Sequence, residues 1–102
     1  MNLFMPVYSD TFHDVAKEIV ASFSFSREDV FKDDFSKTLR IFHLKKAETL
    51  GNHYKNKVKI IFKLANGDVK RVYTTVWAFT SDHISLKAGV IIPIRSILGI
   101  EY

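Results

Sequence analysis

The sequence predicts an α+β domain, in which one or two N-terminal helices pack on a five-stranded, strongly bent antiparallel sheet or small barrel. Three observations predict this architecture. Apolar residues recur at helical spacing in the N-terminal half, whereas from Lys57 onward they alternate with polar residues as they do in strands. Asn66-Gly67 is a strong hairpin signal between two such runs. Further short runs rich in β-branched and aromatic residues follow, separated by turn signals.

Length and composition bound the class of protein. The 102 residues are 47% hydrophobic and 14% aromatic, which suits one globular domain and argues against disorder. We expect a single domain over 1–102, with a mainly helical part over 1–50 and a barrel-like part over 57–102. Cysteine is absent, which excludes disulfide scaffolds and cysteine nucleophiles. No apolar run approaches the roughly 18 residues that span a bilayer, and no signal peptide is evident, so we expect a cytoplasmic protein.

The first predicted helix covers about 11–23. Ser9 and Asp10 precede it directly, and both are residue types that cap the start of a helix. The apolar residues that follow lie three or four positions apart, so they share one face of the helix, which we expect to be buried. These residues are Phe12, Val15, Ala16, Ile19, Val20 and Phe23.

The second predicted helix begins at Arg27 or at Asp33 and ends near Leu50, where Gly51-Asn52 is a typical stop. Basic side chains gather toward its C-terminal end, where the helix dipole favours cations. A stripe of aromatic and aliphatic side chains at helical spacing is expected to pack in the core. It comprises Phe31, Phe35, Leu39 and Phe42, with Ala47 and Leu50 as further members.

Five strands are predicted in the C-terminal half, over 57–64, 69–79, 83–87, 90–94 and 98–102. Pro93 confines the fourth to an edge, an end or a bulge, because proline has no N–H to donate to a ladder. Arg95-Ser96 forms a corner before the last strand. Five strands in about 45 residues cannot lie flat and still bury their apolar side chains. The sheet must therefore bend strongly or close on itself, with a helix covering one end.

This pattern resembles an SH3-like small barrel, in particular its Sm-like version. The residues that carry the resemblance are Val58–Phe62, the Asn66-Gly67 turn, Asp82–Lys87 and Ile92–Ile97. A helix followed by five bent strands is also the order of the bacterial Sm-like RNA chaperone. The segments Thr74–Trp77, Leu86–Gly89 and Ile92–Ile94 together resemble short bacterial proteins with no assigned activity. The second strand lacks the glycine that bends Sm strands, and Ile92–Arg95 replaces the RNA-binding motif of that family. The resemblance therefore implies a fold and carries over no RNA-contacting residue.

Charge is distributed unevenly along the chain. Residues 1–36 hold three basic and seven acidic residues, whereas residues 37–102 hold twelve basic and four acidic ones. Such an excess of cations can attract RNA or another polyanion by binding phosphates without recognising the base sequence. The candidate nucleic-acid-binding residues are Tyr54, Lys55, Lys57, Lys59, Lys63, Lys70 and Arg71. Two alternatives stay open, namely a solubilising face and neutralisation of this surface by the acidic first third.

A second candidate site is a nearly continuous apolar strand, although a half-exposed strand should alternate. Either both faces of this strand are covered within one chain, or its edge is buried against another copy. The candidate oligomer interface comprises Val90, Ile91, Ile92, Pro93 and Ile94. Trp77 is expected to be a core or interface residue, with a stacking platform for a base or a proline as the alternative.

Catalytic and metal-binding patterns are not evident. The four histidines, at 13, 43, 53 and 83, never pair at the i, i+4 spacing of a helical metal site. Adjacent carboxylates such as Asp33-Asp34 diverge around a helix, and the four glycines are too dispersed to cradle a phosphate. We therefore expect no cofactor, no metal and no enzymatic activity. The sequence favours a binding or assembly protein whose partner is itself or another protein, with RNA binding as the alternative.

Overall fold

The computed structural model describes residues 13–102, which form two helices and two sheets. In chain order the helices and strands are β1 (His13–Val15), α1 (Lys17–Val20), α2 (Asp34–Tyr54), β2 (Val58–Lys63), β3 (Val69–Thr74), β4 (Val76–Phe79), β5 (His83–Leu86), β6 (Ile91–Pro93) and β7 (Ile97–Glu101). Two short 3₁₀ turns, Lys87–Gly89 and Ile94–Ser96, flank β6. The α+β class predicted from the sequence is confirmed. Within this part of the chain, no helix is long and apolar enough to cross a membrane.

The strands fall into two sheets rather than one. The first has the order β1-β3-β2-β7, and the second has the order β4-β5-β6. Every ladder is antiparallel except the one between β1 and β3, which is parallel. The predicted strand over 69–79 divides at Thr75, so that one segment of chain supplies β3 to the first sheet and β4 to the second. The C-terminal half therefore contains six strands where the sequence predicts five.

The first predicted helix is wrong over most of its described length. His13–Val15 instead forms β1, which pairs in parallel with Lys70–Val72, and α1 is a single turn. Asp14 lies opposite Arg71 in this pairing, and their side chains form an ion pair. Tertiary partners thus override the local helical pattern, as they do for short segments whose own helical propensity is weak. Ser9, Asp10, Thr11 and Phe12 lie outside the described residues.

The second predicted helix is confirmed, with a later end. A carboxylate oxygen of Asp33 accepts a hydrogen bond from the backbone N–H of Ser36 at 2.8 Å, which caps the N-terminus as the second predicted start requires. The predicted stop at Gly51-Asn52 is wrong, because α2 continues to Tyr54. It ends at Lys55, whose left-handed conformation (φ 58°) closes the helix.

The predicted stripe of the helix is buried only in part, because Leu39, Ala47 and Leu50 lie in or against the core whereas its two phenylalanines do not. Phe35 and Phe42 are 75% and 62% exposed, whereas Leu44 and Ala47 are fully buried. Gly51 accounts for this orientation of the helix, because a Cβ built on it would lie 2.0 Å from the carbonyl oxygen of Val76. The absence of a side chain at Gly51 lets the helix backbone lie directly against β4. The buried residues of the helix are Arg40, Leu44, Ala47 and Gly51, and the two phenylalanines face solvent.

The core lies between the two sheets and beneath α2. Alternate side chains of β2, β5 and β6 point into it, as the period of two requires. Phe31, Leu39 and Leu50, which the sequence assigns to the helix stripe, also contact the core, although Phe31 precedes the helix. The fully buried core residues of the strands include Ile60, Phe62, Val72, Ile84, Leu86, Ile92, Ile97 and Ile100.

Candidate functional site

The candidate nucleic-acid-binding cations do not all lie on one face of the first sheet, because Lys59, Lys63 and Arg71 share one side and Lys70 lies on the other. Lys59 lies opposite Tyr73, and Ile61 lies opposite Arg71. Directly opposed residues of an antiparallel pair share a face, so Lys59 and Arg71 lie on the same side of the sheet. Lys70 lies opposite the buried Phe62 and therefore belongs to the other side.

Two of these cations, Lys59 and Arg71, form ion pairs with carboxylates. Nη2 of Arg71 donates to Oδ2 of Asp14 at 3.0 Å, and Oε1 of Glu101 lies 3.4 Å from both Lys59 Nζ and Arg71 Nη1. The hydrogen bonds from Arg71 hold the pKa of the Asp14 carboxyl below its ordinary value, and the same bonds raise the pKa of Arg71. The acidic N-terminal region thus neutralises part of the predicted nucleic-acid surface.

The other predicted cations and Tyr54 spread around the C-terminal end of α2 and the ends of β2. Tyr54 is 66% exposed on the last turn of the helix, and Lys55 and Lys57 follow it in the exposed loop. Lys57 Nζ lies 5.4 Å from the ring centroid of Tyr73, a geometry typical of a cation–π contact. Lys63 ends β2 at its far end, away from this group. Tyr54, Lys55, Lys57 and Tyr73 are called the basic–aromatic cluster below.

The second sheet has an outer face without charged residues. Side chains alternate along its strands, so Ile84 and Ile92 point into the core while their neighbours point outward. A bulge at Val76–Ala78 places Trp77 on the outer side as well. The outward residues, called the uncharged face below, are Trp77, Ala78, His83, Ser85, Ile91 and Pro93. None of the six is an acid, a lysine or an arginine, although such residues make up 25% of the chain.

The edge of this face is the free side of β6. Within residues 13–102, β6 pairs with β5 alone. The Leu86 N–H donates to the Val90 carbonyl at 2.7 Å, and the Ile94 N–H donates to the Asp82 carbonyl at 2.9 Å. Because backbone groups alternate in direction along a strand, those of Ile91 and Pro93 point away from β5. Pro93 has no N–H, so Ile91 supplies the single donor on this short edge.

The predicted oligomer interface is divided by the fold. Ile92 and Ile94 belong to the core, with exposures of 0% and 6%, and Val90 and Pro93 are half-buried. Of these five residues Ile91 alone is well exposed, at 49%, and it lies on the same face as Trp77, which is 50% exposed on β4, with β5 between the two strands. The segment therefore has apolar side chains on both sides of β6, and the chain itself covers one of these sides.

Histidines and carboxylates do not converge in the described part of the chain. No group of three or more that could hold a metal ion occurs among residues 13–102. His43 Nδ1 lies 2.7 Å from the Tyr102 hydroxyl, and burial, together with the charge of Lys46, lowers the pKa of His43. Burial raises the pKa of Tyr102 far above its ordinary value. This pair joins the C-terminal end of the chain, just after the last strand, to α2.

Comparison with known proteins places the chain in no group. It matches no protein-family model, no curated protein and no solved structure. Any functional conclusion therefore rests on the geometry of the uncharged face, the basic–aromatic cluster and the cavities of this fold.

Proposed function

We propose that this chain is a non-enzymatic assembly module that associates with a second copy of itself through the uncharged face and the free edge of β6. The observation that carries the proposal is the position of Trp77 and Ile91. Both are half exposed, they lie on one face of the second sheet, and no charged side chain accompanies them. Large apolar side chains grouped without charges are typical of interaction surfaces.

The net charge of the chain favours a second copy of the chain as the partner that binds the uncharged face. Two copies that each carry a formal charge of +4 repel one another wherever their lysines meet. The uncharged face is a surface on which two copies can meet without burying an unpaired charge. A two-fold axis at the free edge of β6 joins the uncharged faces of both copies side by side into one continuous surface, without bringing charged side chains of the two faces together.

The free edge of β6 specifies how the two copies would align. With the two-fold axis at Ile91, this residue lies opposite the partner's Ile91, and each N–H donates to the other carbonyl. An axis at Pro93 would bring two residues without an N–H together and form no such pair. Six outward residues are fewer than the about 20 residues per side of a standard interface. We therefore expect a weak, concentration-dependent dimer.

Replacing Ile91 tests this proposal. Ile91→Lys places two like charges at the two-fold axis, so the variant should stay monomeric at concentrations where the unmodified protein dimerises in sedimentation equilibrium. Ile19→Lys is the matched control, because Ile19 is 46% exposed in α1, away from the face. A protein that is strictly monomeric at millimolar concentration, or an Ile91→Lys variant that dimerises normally, would contradict the proposal.

We also infer that the two sheets form an SH3-like small barrel of the Sm-like kind. Three features support it. A single residue, Thr75, joins β3 to β4, β7 returns to pair with β2, and a 3₁₀ turn precedes β7. The strands of such a barrel share one core, so amide protection in hydrogen exchange should be similar for β2, β5 and β7. Independent opening of β5 and β6 before the first sheet would instead indicate two loosely joined layers.

A second candidate function is binding of single-stranded RNA at the basic–aromatic cluster. It is favoured by the cation–π contact of Lys57 with Tyr73, a ring that is 59% exposed and able to stack on a base. Two lysines predict a shallow salt dependence of the affinity, with a slope of roughly −1.4 for two phosphates on a single strand.

Fluorescence anisotropy with an oligouridine at several salt concentrations tests this function. Lys57→Gln should weaken binding, whereas Lys45→Gln, an exposed lysine of α2 outside the cluster, should leave it unchanged. Binding that is undetectable or independent of salt would exclude the RNA-binding function while leaving the self-association proposal intact.

A further inference from the structure

α2 carries exposed aromatic side chains on the side that faces away from the core. Its core side is held in place, because the buried Arg40 donates from Nη1 to the Ile97 carbonyl at 3.1 Å and from Nη2 to Oδ2 of Asp29 at 2.8 Å. On the other side, Phe35 and Phe42 are 75% and 62% exposed. Residues seven apart share one face of a helix, so the two rings project in the same direction, about 10 Å apart along the axis.

Two exposed charges of opposite sign flank these rings. Asp34 and Lys45 are eleven residues apart, which makes about three turns, so they lie on nearly the same side of α2 and are separated by roughly 16 Å along its axis. Neither forms an ion pair within residues 13–102. The group that these charges complete, called the outer face of α2 below, comprises Asp34, Phe35, Thr38, Phe42 and Lys45.

Lys46 lies beside the outer face of α2 and is directed away from it. Its Nζ lies 4.7 Å from the ring centroid of Tyr102, just after the last strand. The cation–π contact holds this lysine toward the end of β7. The outer face of α2 therefore has one negative end and one positive end, with the two phenylalanines between them.

This arrangement is self-complementary when two copies meet with their helices antiparallel. A two-fold axis that crosses α2 between residues 39 and 40 places Asp34 of each copy level with Lys45 of the other, at the crossing angle of about 20° that is common for packed helices. In the same register, Phe42 of each copy packs between Phe35 and Thr38 of the other. Like charges remain roughly 16 Å apart, beyond the Debye length of about 8 Å. Parallel helices would instead bring like charges together.

We propose that the outer face of α2 binds the same face of a second copy in this antiparallel orientation. Contact between the rings removes apolar surface from water. The two Asp34–Lys45 pairs contribute little to affinity at the surface, and they set the orientation and the register. The backbone groups of a helix are already hydrogen-bonded within it, so this contact lacks the backbone hydrogen bonds proposed for the β6 edge.

The contact at α2 is separate from the β6 edge and does not depend on it. Having fewer side chains and no backbone hydrogen bonds, it should form only at higher concentrations than the β6 dimer. A chain with two distinct two-fold contacts can associate beyond the dimer. We therefore expect α2 to join β6 dimers into larger assemblies.

Charge reversal in the Ile91→Lys variant tests the contact without the β6 edge. In sedimentation equilibrium this variant should be monomeric where the unmodified protein dimerises and should associate as its concentration approaches millimolar. Adding Asp34→Lys or Lys45→Asp should weaken that association about tenfold, because each places like charges at both ends of the contact. An equimolar mixture of the two reversed variants should restore it to within about threefold, because both ends of the mixed pair again join opposite charges.

Glu18→Lys and Lys87→Asp are the matched controls in the same background. They change the net charge by the same amounts, and both residues are exposed, lie outside α2 and form no ion pair within residues 13–102. Neither control should alter the association. Phe42→Ala should weaken it about tenfold, and no reversed partner should restore it.

Four results would overturn the proposal. They are a strict monomer in the Ile91→Lys background at millimolar concentration, equal effects of the controls, no recovery in the mixture, and association that needs Phe42 but ignores both reversals. Cosedimentation of a monomer with phosphatidylserine vesicles that requires Phe42 would assign the face to a lipid surface instead. Failure of the β6 proposal is seen separately, as an Ile91→Lys variant that associates as readily as the unmodified protein.

Discussion

Asp29 and Arg40 fasten the segment before α2 to the end of the molecule where β7 begins. Burial works against ionisation of Asp29, but the hydrogen bonds from Arg40 and from the Phe31 N–H, together with the charge of Arg40, outweigh it. The pKa of Asp29 therefore lies below its ordinary value. Arg40 also lies 5.1 Å from the ring centroid of Phe31, which packs in the core. One guanidinium thus connects a loop carboxylate, an aromatic ring and a strand carbonyl.

Removing the Asp29 carboxylate should destabilise the folded protein. Asp29→Asn leaves the buried Arg40 cation without its counter-ion, and we expect the free energy of unfolding to fall by about 3–5 kcal/mol. Urea denaturation at pH 7 measures this loss. Glu28→Gln is the control, because Glu28 and Lys32 are 84% and 78% exposed, and loss of such a pair costs well under about 1 kcal/mol. Equal effects of the two variants would contradict the structural role of Asp29.

The Asp29–Arg40 ion pair also predicts how the free energy of unfolding depends on pH. Because the pKa of Asp29 is lower in the folded chain, its contribution is complete above the unfolded value of about 3.9 and is lost as pH falls through the folded value. The unfolding free energy should therefore decline below about pH 4, more steeply in the unmodified protein than in Asp29→Asn. Denaturation curves between pH 2 and pH 7 compare the two slopes, and parallel slopes would rule out this linkage.

At the scale of elements, α2 illustrates how a close contact decides which face of a helix is buried. A pattern of phenylalanines predicts one face, yet the backbone of the helix at Gly51 lies against Val76 of β4. Asn52 strengthens the contact, because its Nδ2 donates to the Trp77 carbonyl at 3.0 Å. The helix covers the edge of β4 in this way, which leaves β6 as the free edge of the second sheet.

Gly51→Ala tests this contact. Alanine favours a helix by about 1 kcal/mol over glycine, but its Cβ cannot fit 2.0 Å from a backbone oxygen, so the helix must move away from β4. We expect a net destabilisation of about 1–3 kcal/mol by urea denaturation. Thr49→Ala, an exposed position two residues earlier in α2, should be neutral or slightly stabilising. A more stable Gly51→Ala variant would show that the helix is not held against β4.

The buried face of α2 gives a further comparison. Leu44→Ala removes a fully buried side chain and should cost about 2–5 kcal/mol, whereas Phe42→Ala removes a ring that is 62% exposed and should cost under about 1 kcal/mol. Thermal or urea unfolding of the two variants measures the difference. The reverse order would restore the phenylalanine stripe as the core face that the sequence predicts.

At the scale of the whole molecule, opposite charges of distant segments meet across the first sheet. β1 brings Asp14 to Arg71, and the end of β7 brings Glu101 to Lys59 and Arg71. The uneven charge along the chain is thus partly balanced in the fold, and long-range attraction of polyanions is reduced accordingly. Among the candidate nucleic-acid-binding residues, Lys55 and Lys57 of the basic–aromatic cluster form no ion pair within residues 13–102.

Asp14→Asn should remove part of this charge neutralisation and so strengthen binding of a polyanion. Without the carboxylate, Arg71 loses the Asp14 partner while Glu101 stays beside it, and affinity for an oligouridine should rise by about two- to fivefold at low salt, as expected when one negative charge beside a cation is removed. Glu18→Gln is the control, since Glu18 is exposed in α1 and forms no ion pair in the described region. An equal rise in both variants would reflect net charge alone and not the contact with Arg71.

The sequence by itself determines the elements whose signals are local. Three local signals depend only on neighbours in the chain, and their predictions are confirmed. They are the second of the two predicted helix starts, at Asp33, the alternation that begins near Val58, and the Asn66-Gly67 turn. Pro93 likewise marks β6 as an edge strand, because a missing N–H is a property of the residue itself.

The tertiary structure alone decides what depends on distant partners. Residues 13–15 become a strand because β3 is beside them, and α2 turns its phenylalanines outward because Gly51 meets β4. Arg40 becomes a buried cation because Asp29 and the Ile97 carbonyl converge on it. No local pattern records such contacts, since each joins segments separated by 11 to 57 residues and stabilises a conformation that neither segment prefers alone.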